Sequence, residues 1–227
     1  MTNAAKKFIV WDWNGTLQDD FTVSLAATNM NLQNLGKPEI EAGTYRECFD
    51  VPIDRLYRNL GLSEEEITHC LTSMQDNYFE TYDKMVAHVD FRPGAREILD
   101  FTSAQSITHV ILSNHLVEAI AKDLHRLQKR DAFHDILAWP NRETQFAHPK
   151  GDLLAVFMKR HDFRSENGMI VGDTPEEVKI ARAFGLVSVA LSDGYNSLPV
   201  LEKAKPDYII SSLQDLKPIL QERGFLS

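Results

Sequence analysis

In Phe8-Ile9-Val10-Trp11-Asp12-Trp13-Asn14-Gly15-Thr16-Leu17, four large apolar residues run into an acid and then into a polar turn containing Gly15. A short apolar run closed by turn residues reads as a buried strand. Its C-terminal end delivers Asp12, and in open α/β sheets ligands bind outside that edge. Asp also follows strands because its side chain stabilises turns. Asp12 therefore acquires chemical meaning only from what shares the edge with it.

Further apolar runs occur at Thr108-His109-Val110-Ile111-Leu112, which leads into Ser113-Asn114, and at Ile136-Leu137-Ala138. Met169-Ile170-Val171 leads into Gly172-Asp173-Thr174-Pro175, and Val187-Ser188-Val189-Ala190 and Tyr208-Ile209-Ile210 follow. Helical patterns fill 93–101, 116–128, 151–161 and 176–184 between them. Strands alternating with helices predict an α/β fold, a doubly wound parallel sheet with right-handed crossovers.

Between residues 20 and 88 no strand is legible. Asp19 and Asp20 are N-cap candidates for a helix from Phe21, in which Leu25, Met30, Leu32 and Leu35 recur up to Gly36. A second helical stretch from Tyr45 to Leu60 is interrupted by Pro52 and closed by Gly61. Ser63-Glu64-Glu65-Glu66 has capping-box form and opens a longer helix through Tyr82. A helical block of roughly 65 residues is too long for a connection within one layer. The expected organisation is a core of residues 1–19 and 89–227 with a helical domain, 20–88, over the crevice. No internal repeat or low-complexity tract interrupts it.

The bulk numbers narrow the function classes. With 227 residues, 43% hydrophobic and 25% charged, the chain suits a globular core with a modest insert. Its 33 acids against 24 bases give −9, which argues against nucleic-acid and anionic-membrane partners. No apolar run approaches the roughly 20 residues of a membrane span. Residues 1–7 are polar and do not read as a signal peptide. Cys48 and Cys70 are too few and too far apart for a metal knuckle or a disulfide framework. The expected compartment is the cytoplasm, with both thiols reduced.

Asp12, Ser113 and Asp173 each close or nearly close a strand, so a parallel sheet would present them on one edge. Lys150, in the loop before the helix at Gly151, can reach the same edge. Two carboxylates, a hydroxyl and an amine suit magnesium-dependent phosphoryl transfer. Magnesium takes hard oxygen ligands, commonly one or two carboxylates plus substrate oxygens and water. A transferring phosphoryl group needs a cation and hydrogen-bond donors around it, and a carboxylate can act as its nucleophile.

On these residues the chain resembles the haloacid dehalogenase superfamily over essentially its whole length. Asp12-Trp13-Asn14-Gly15-Thr16 is similar to the family's Asp-x-Asp-x-Thr, and Val110-Ile111-Leu112-Ser113-Asn114 to its second motif. Lys150 before a helix matches the third, with Pro149-Lys150 reversing the commoner order. Val171-Gly172-Asp173-Thr174-Pro175-Glu176-Glu177 resembles the fourth, Gly-Asp-x-x-x-Asp, with Glu177 at the last acid. The helical insert, with Phe49-Asp50-Val51-Pro52 and Arg92-Pro93-Gly94, looks like the C1-type cap of the phosphoglycolate-phosphatase-like branch.

The resemblance implies a Mg2+-dependent phosphatase acting on a small phosphorylated metabolite, with monomer and homodimer left open. Asp12 would be nucleophile and metal ligand, and Asn14 would offer its backbone carbonyl to the metal. Thr16 and Ser113 would bind phosphate oxygens, with Asn114 supplying a neighbouring amide. Lys150 would orient Asp12 and neutralise phosphate, Asp173 would complete the metal shell, and Glu177 would support it. The family's phosphatases carry a second Asp where Asn14 stands, and it protonates the leaving alcohol. An amide cannot, and general acid–base catalysis contributes roughly 10²–10⁴-fold. The resemblance thus implies slow turnover of alkyl phosphates, or, as the alternative, a phosphate-binding or regulatory protein of the same fold.

His115 is the nearest substitute acid in sequence, at an expected helix start. Lys37 and Lys84 are the cap lysines a carbon–phosphorus hydrolase of the superfamily would need for a Schiff base. Retention of Asp173 and Glu177 argues against the metal-free dehalogenase route. Trp13 is a candidate for the substrate entrance, and Arg46, Arg55 or Arg58 for an anionic substrate tail. The remaining histidines lack spacing that would select zinc.

Overall fold

The computed structural model describes residues 6–145 and 148–226, with Asp76 and Asn77 as backbone alone. Most of the polar segment read at 1–7 therefore lies outside the described residues. Among the described residues, six parallel strands form one sheet in the order β3-β2-β1-β4-β5-β6. They are β1 (Phe8–Trp11), β2 (Thr108–Leu116), β3 (Asp135–Trp139), β4 (Gly168–Gly172), β5 (Val187–Leu191) and β6 (Tyr208–Ile210). The α/β, doubly wound reading holds. The strand order reverses between β1 and β4, the point at which such sheets open a crevice beyond their C-terminal ends.

Successive side chains leave a strand on opposite faces. Ile9 and Trp11 accordingly enter one core, and Phe8 and Val10 the other. The first face is covered by α6 (Ala95–Ala104), α7 (Val117–Arg126) and α11 (Leu216–Glu222). The second is covered by α8 (Gly151–His161) and α9 (Pro175–Phe184). Burial on both faces is why β1 reads as an unbroken apolar run. His109, the polar residue of β2, accepts the Trp11 Nε1–H at 2.9 Å, and burial pulls its pKa down to about 4. It is a neutral packing residue.

The connection from β1 to β2 carries α1 (Phe21–Asn34), α2 (Ala42–Cys48), α3 (Asp54–Asn59), α4 (Glu64–Leu71) and α5 (Gln75–Val86). Leu32, Tyr57, Leu62, Ile67, Cys70 and Met74 give this block an apolar cluster of its own. The second helical stretch is interrupted around Pro52 as expected, giving α2 and α3, since proline lacks the amide a continuing helix needs. The Ser63–Glu66 capping box forms as expected. The helix it opens stops early, because Thr72 leaves helical geometry at φ −121° and ψ −82°. β2 also runs on to Leu116, so His115 belongs to a strand end rather than to a helix start. No described helix is long and apolar enough to cross a membrane.

Candidate active site

Asp12 directly follows β1, where its N–H donates to Val171 O at 2.9 Å. Asp173 directly follows β4, the neighbouring strand. Both carboxylates therefore stand on one edge, at the reversal of strand order. Asp173 is fully buried: Oδ1 accepts the Thr16 hydroxyl at 2.9 Å and Oδ2 accepts the Tyr195 N–H at 2.5 Å. Two glycines make room for it. A Cβ on Gly15, at φ 71°, would lie 2.3 Å from Asp173 Oδ2, and one on Gly194 would lie 2.1 Å from the same atom. Overpacking of this kind costs about 1–3 kcal/mol. Gly194→Ala should therefore lower the melting temperature and displace Asp173; an unchanged melting curve would mean that this loop yields freely.

Lys150 stands at the start of α8 and is buried. Its Nζ reaches Asp12 Oδ1 at 3.1 Å and Glu176 Oε2 at 3.2 Å, and donates to Glu177 Oε1. Burial pulls the ammonium's pKa down, but Asp12, Glu177 and Glu176 outweigh it and hold it well above its ordinary value. Asp12, Glu177 and Glu176 share this one amine, and Asp173 adds a further buried carboxylate near Asp12. The surplus of negative charge has a measurable consequence. Burial, reinforced by Glu177 and Asp173 and opposed by Lys150, pushes the Asp12 carboxyl well above the usual range. Burial, with Glu177 adding, pushes Asp173 up to about 7.

That surplus, on hard oxygen donors, fits a small divalent cation. Among the described residues no group of three or more His, Cys, Asp or Glu side chains could hold a metal by itself. Asp12, Asp173 and the Asn14 carbonyl would be a donor set for magnesium, which keeps several waters or substrate oxygens. They are not one for zinc.

A cavity of about 180 Å³ opens on this edge, and Asp12, Asn14, Ser113, Asn114 and Lys150 line it. Thr16, Asp173 and Glu177 lie outside its wall. Thr16, expected on a phosphate oxygen, instead spends its hydroxyl on Asp173. Glu177, expected to support a metal, commits Oε1 to Lys150 and Oε2 to the Thr174 N–H and hydroxyl, where it closes the capping box of α9. Asn114 donates its side-chain amide to Glu176 Oε2 at 2.7 Å.

The residues that sequence reasoning missed surround Asn14. Asp20, expected to cap α1, makes no cap bond. Its side chain turns inward, fully buried, and Oδ1 accepts the Gly15 N–H at 2.8 Å. Oδ2 accepts the Asn14 amide at 2.7 Å, the Tyr82 hydroxyl at 2.5 Å and the Tyr195 hydroxyl at 2.8 Å. The Asn14 amide also donates to Tyr82 OH at 2.8 Å. No cation joins the group, and burial raises the Asp20 pKa despite these donors. The signal in the sequence is the doublet Asp19-Asp20, where one cap would suffice.

Other candidates fall away. Trp13 is fully buried in the core, edge-on to Phe91, and lines no entrance. His115 does line the cavity, edge-on to Tyr82, and burial lowers its pKa to about 4, so its imidazole is uncharged at neutral pH. Lys37 pairs with Glu66 and Lys84 with Glu80, both away from the cavity.

These features define a sheet-edge site with an acidic centre and a buried lysine. The haloacid dehalogenase-like hydrolase family matches residues 9–191, and the chain belongs to that family. It is similar to the phosphoglycolate phosphatase of Pseudomonas fluorescens, 25% identical over 222 residues covering 93% of this chain and 79% of that protein. It is also similar to the phosphoglycolate phosphatase of Vibrio parahaemolyticus, 23% identical over 97% of this chain and 98% of that one. Among solved structures, a haloacid dehalogenase-like family hydrolase of Streptococcus pneumoniae matches with a TM-score of 0.80 at 22% identity, covering 95% and 99% of the two chains. A haloacid dehalogenase-like protein of Agrobacterium tumefaciens matches at 0.77 with 19% identity, covering 97% and 100%.

Proposed function

We propose that the protein is a magnesium-dependent phosphatase of a small phosphate monoester, working through an aspartyl-phosphate at Asp12 beneath a cap formed by residues 20–88. The reading rests above all on Asp12: it lines the cavity while Lys150, 3.1 Å from Oδ1, holds one of its oxygens and leaves the other for phosphorus. A bond forms from that oxygen to phosphorus as the ester P–O bond breaks and the alcohol oxygen takes a proton from solvent. Water then attacks phosphorus, the Asp12–phosphorus bond breaks, and inorganic phosphate leaves with the carboxylate restored. In this reading Ser113 and the Asn114 backbone amide donate to phosphoryl oxygens, and Glu177 acts by fixing Lys150. Magnesium held by Asp12, the Asn14 carbonyl and Asp173 would offset the surplus negative charge and polarise the phosphoryl group. We place the protein in the cytoplasm, since both cysteines are free thiols.

A second reading has one observation in its favour: the Asn14 amide is tied to Asp20 and Tyr82 and supplies no acid. It makes the protein a phosphate-ligand binder without turnover. Incubation with para-nitrophenyl phosphate and Mg2+ separates the two, because nitrophenolate leaves without needing a proton. The phosphatase releases it and stops on chelation of the metal. Binding of a phosphate mimic with no release at all favours the binder.

Metal dependence also predicts how stability responds to pH. The folded-state pKa of Asp173, about 7, lies above its ordinary 3.8. The proton is thus bound more tightly by the folded chain, and this contribution is present below pH 3.8 and lost as pH rises through about 7. Mg2+ favours the ionised carboxylates, so its stabilisation should grow over the same window. At a hundredfold excess over its Kd it should contribute about 2.7 kcal/mol. Melting curves with Mg2+ and with chelator, on either side of neutrality, check this; an equal metal shift at both pH values would count against the carboxylate site.

A further inference from the structure

We propose that the alcohol half of the substrate is uncharged and ring-sized, with a hydroxyl or similar neutral polar group at its far end, and that the cavity rejects esters carrying a second anionic group. The proposal deepens the phosphatase reading and rests on it for the phosphoryl end. Beyond Asp12 the cavity runs into the helical block, where Tyr45, Phe49, Ile53, Tyr57, Leu71 and Tyr78 form its walls. Among the described lining residues Lys150 is the single cation, and Asp12, Glu176 and Glu177 already surround it.

The cationic side chains nearby are engaged elsewhere. Arg46 donates to Gly194 O at 2.8 Å and Asp193 O at 3.0 Å, and lies over the Phe21 ring. Arg55 pairs with Asp50, and Arg58 with Asp54 and Glu64. Arg92 donates to Gly15 O at 2.6 Å. Arg142 packs on the Phe79 ring and pairs with Asp83. An anionic tail entering this cavity would lose its hydration without gaining a counter-charge, and buried unpaired charge is strongly disfavoured. The acids at the cavity's phosphoryl end would repel it as well. The phosphoglycolate named for the sequence relatives carries such a group, its carboxylate.

The far end is apolar but not wholly so. Tyr45 OH and Asn31 Oδ1 are buried in residues that line the cavity and have no hydrogen-bond partner among the described residues. The Asn31 amide nitrogen is already on Tyr57 OH at 2.9 Å, which leaves an acceptor. Tyr45 OH faces the Thr28 hydroxyl, but the two fall short of hydrogen-bond geometry. Buried polar groups are almost always paired. A ligand hydroxyl reaching this end would satisfy both the phenol and the amide oxygen.

The test compares phenyl phosphate, 4-(hydroxymethyl)phenyl phosphate and 4-carboxyphenyl phosphate on the wild-type protein with Mg2+. These share one skeleton and differ in the charge and polarity of the distal group. Expected is a kcat/KM for the carboxylated ester about tenfold or more below that of phenyl phosphate, expressed mainly in KM, with the hydroxymethyl ester the best of the three. Tyr45→Phe should shrink the ratio between the hydroxymethyl and phenyl esters. Equal or better hydrolysis of the carboxylated ester overturns the proposal while leaving the phosphatase reading intact. Should none of the three be hydrolysed, the phosphatase reading fails, and calorimetric binding of the same esters decides the proposal. Weaker binding of the carboxylated ester upholds it; equal or tighter binding, or no binding of any ester, overturns it.

Discussion

Asp12→Asn should abolish turnover, by about 10⁴–10⁶-fold if the loss matches that of other nucleophile removals, while the protein stays folded. The amide has no oxygen able to form the acyl phosphate and be regenerated from it. Stability should hardly suffer. Asp12 shares a single lysine with Glu176 and Glu177, and Glu177 and Asp173 both disfavour its charge. Lys150 keeps Glu176 and Glu177 after the substitution. The lost hydrogen bond, about 1 kcal/mol, is set against relief of that repulsion. Steady-state rates and a melting curve measure the two halves of the prediction. Intact-protein mass after an acid quench adds a third, with a phosphoryl adduct on the wild type and none on the variant. Undiminished turnover would reject Asp12 as nucleophile.

The second large effect concerns Asn14. From the sequence, Asn14→Asp simply restores the missing acid and speeds alkyl phosphates more than aryl phosphates. The structure changes that expectation. Asp20 Oδ2 lies 2.7 Å from the Asn14 amide nitrogen, so a carboxylate at position 14 would face another one in a buried site. One of the pair must then hold a proton, its pKa driven up by the other. Asn14→Asp alone should lose about 1–3 kcal/mol at neutral pH, the penalty of a buried acceptor deprived of its donor. The loss should diminish in acid, where one carboxyl can stay protonated.

Asn14→Asp combined with Asp20→Asn reverses the pair. The amide at position 20 then donates to the acid at position 14, and the Tyr82 and Tyr195 hydroxyls can rotate to suit. This double variant should recover most of the lost stability and raise the rate with an alkyl phosphate by roughly 10²–10⁴-fold, with a smaller gain on an aryl ester. A double-mutant cycle in both stability and rate exposes the coupling. Additive effects would show that Asp20 is not what constrains position 14, and equal gains on both esters that leaving-group protonation is not what Asn14 limits.

The same pair marks where local reading stops. The strand of Phe8–Trp11, the capping box at Ser63 and the Gly172-Asp173 turn were legible because each follows from neighbours a few residues apart. Apolar runs fix strands, and a hydroxyl three residues before a glutamate fixes a helix start. The parallel sheet followed from their alternation, and with it the meeting of Asp12, Ser113, Asp173 and Lys150 on one edge. What each polar side chain does there was not legible. Asp20 reads as a cap until Tyr82 and Tyr195 arrive from 62 and 175 residues away.

Thr16 likewise reads as a phosphate ligand until Asp173, 157 residues on, takes its hydroxyl. Sequence spacing sets which groups a fold can bring together, because backbone geometry is largely local. How their hydrogen bonds and charges are then shared depends on burial, and burial is settled by segments far apart in the chain.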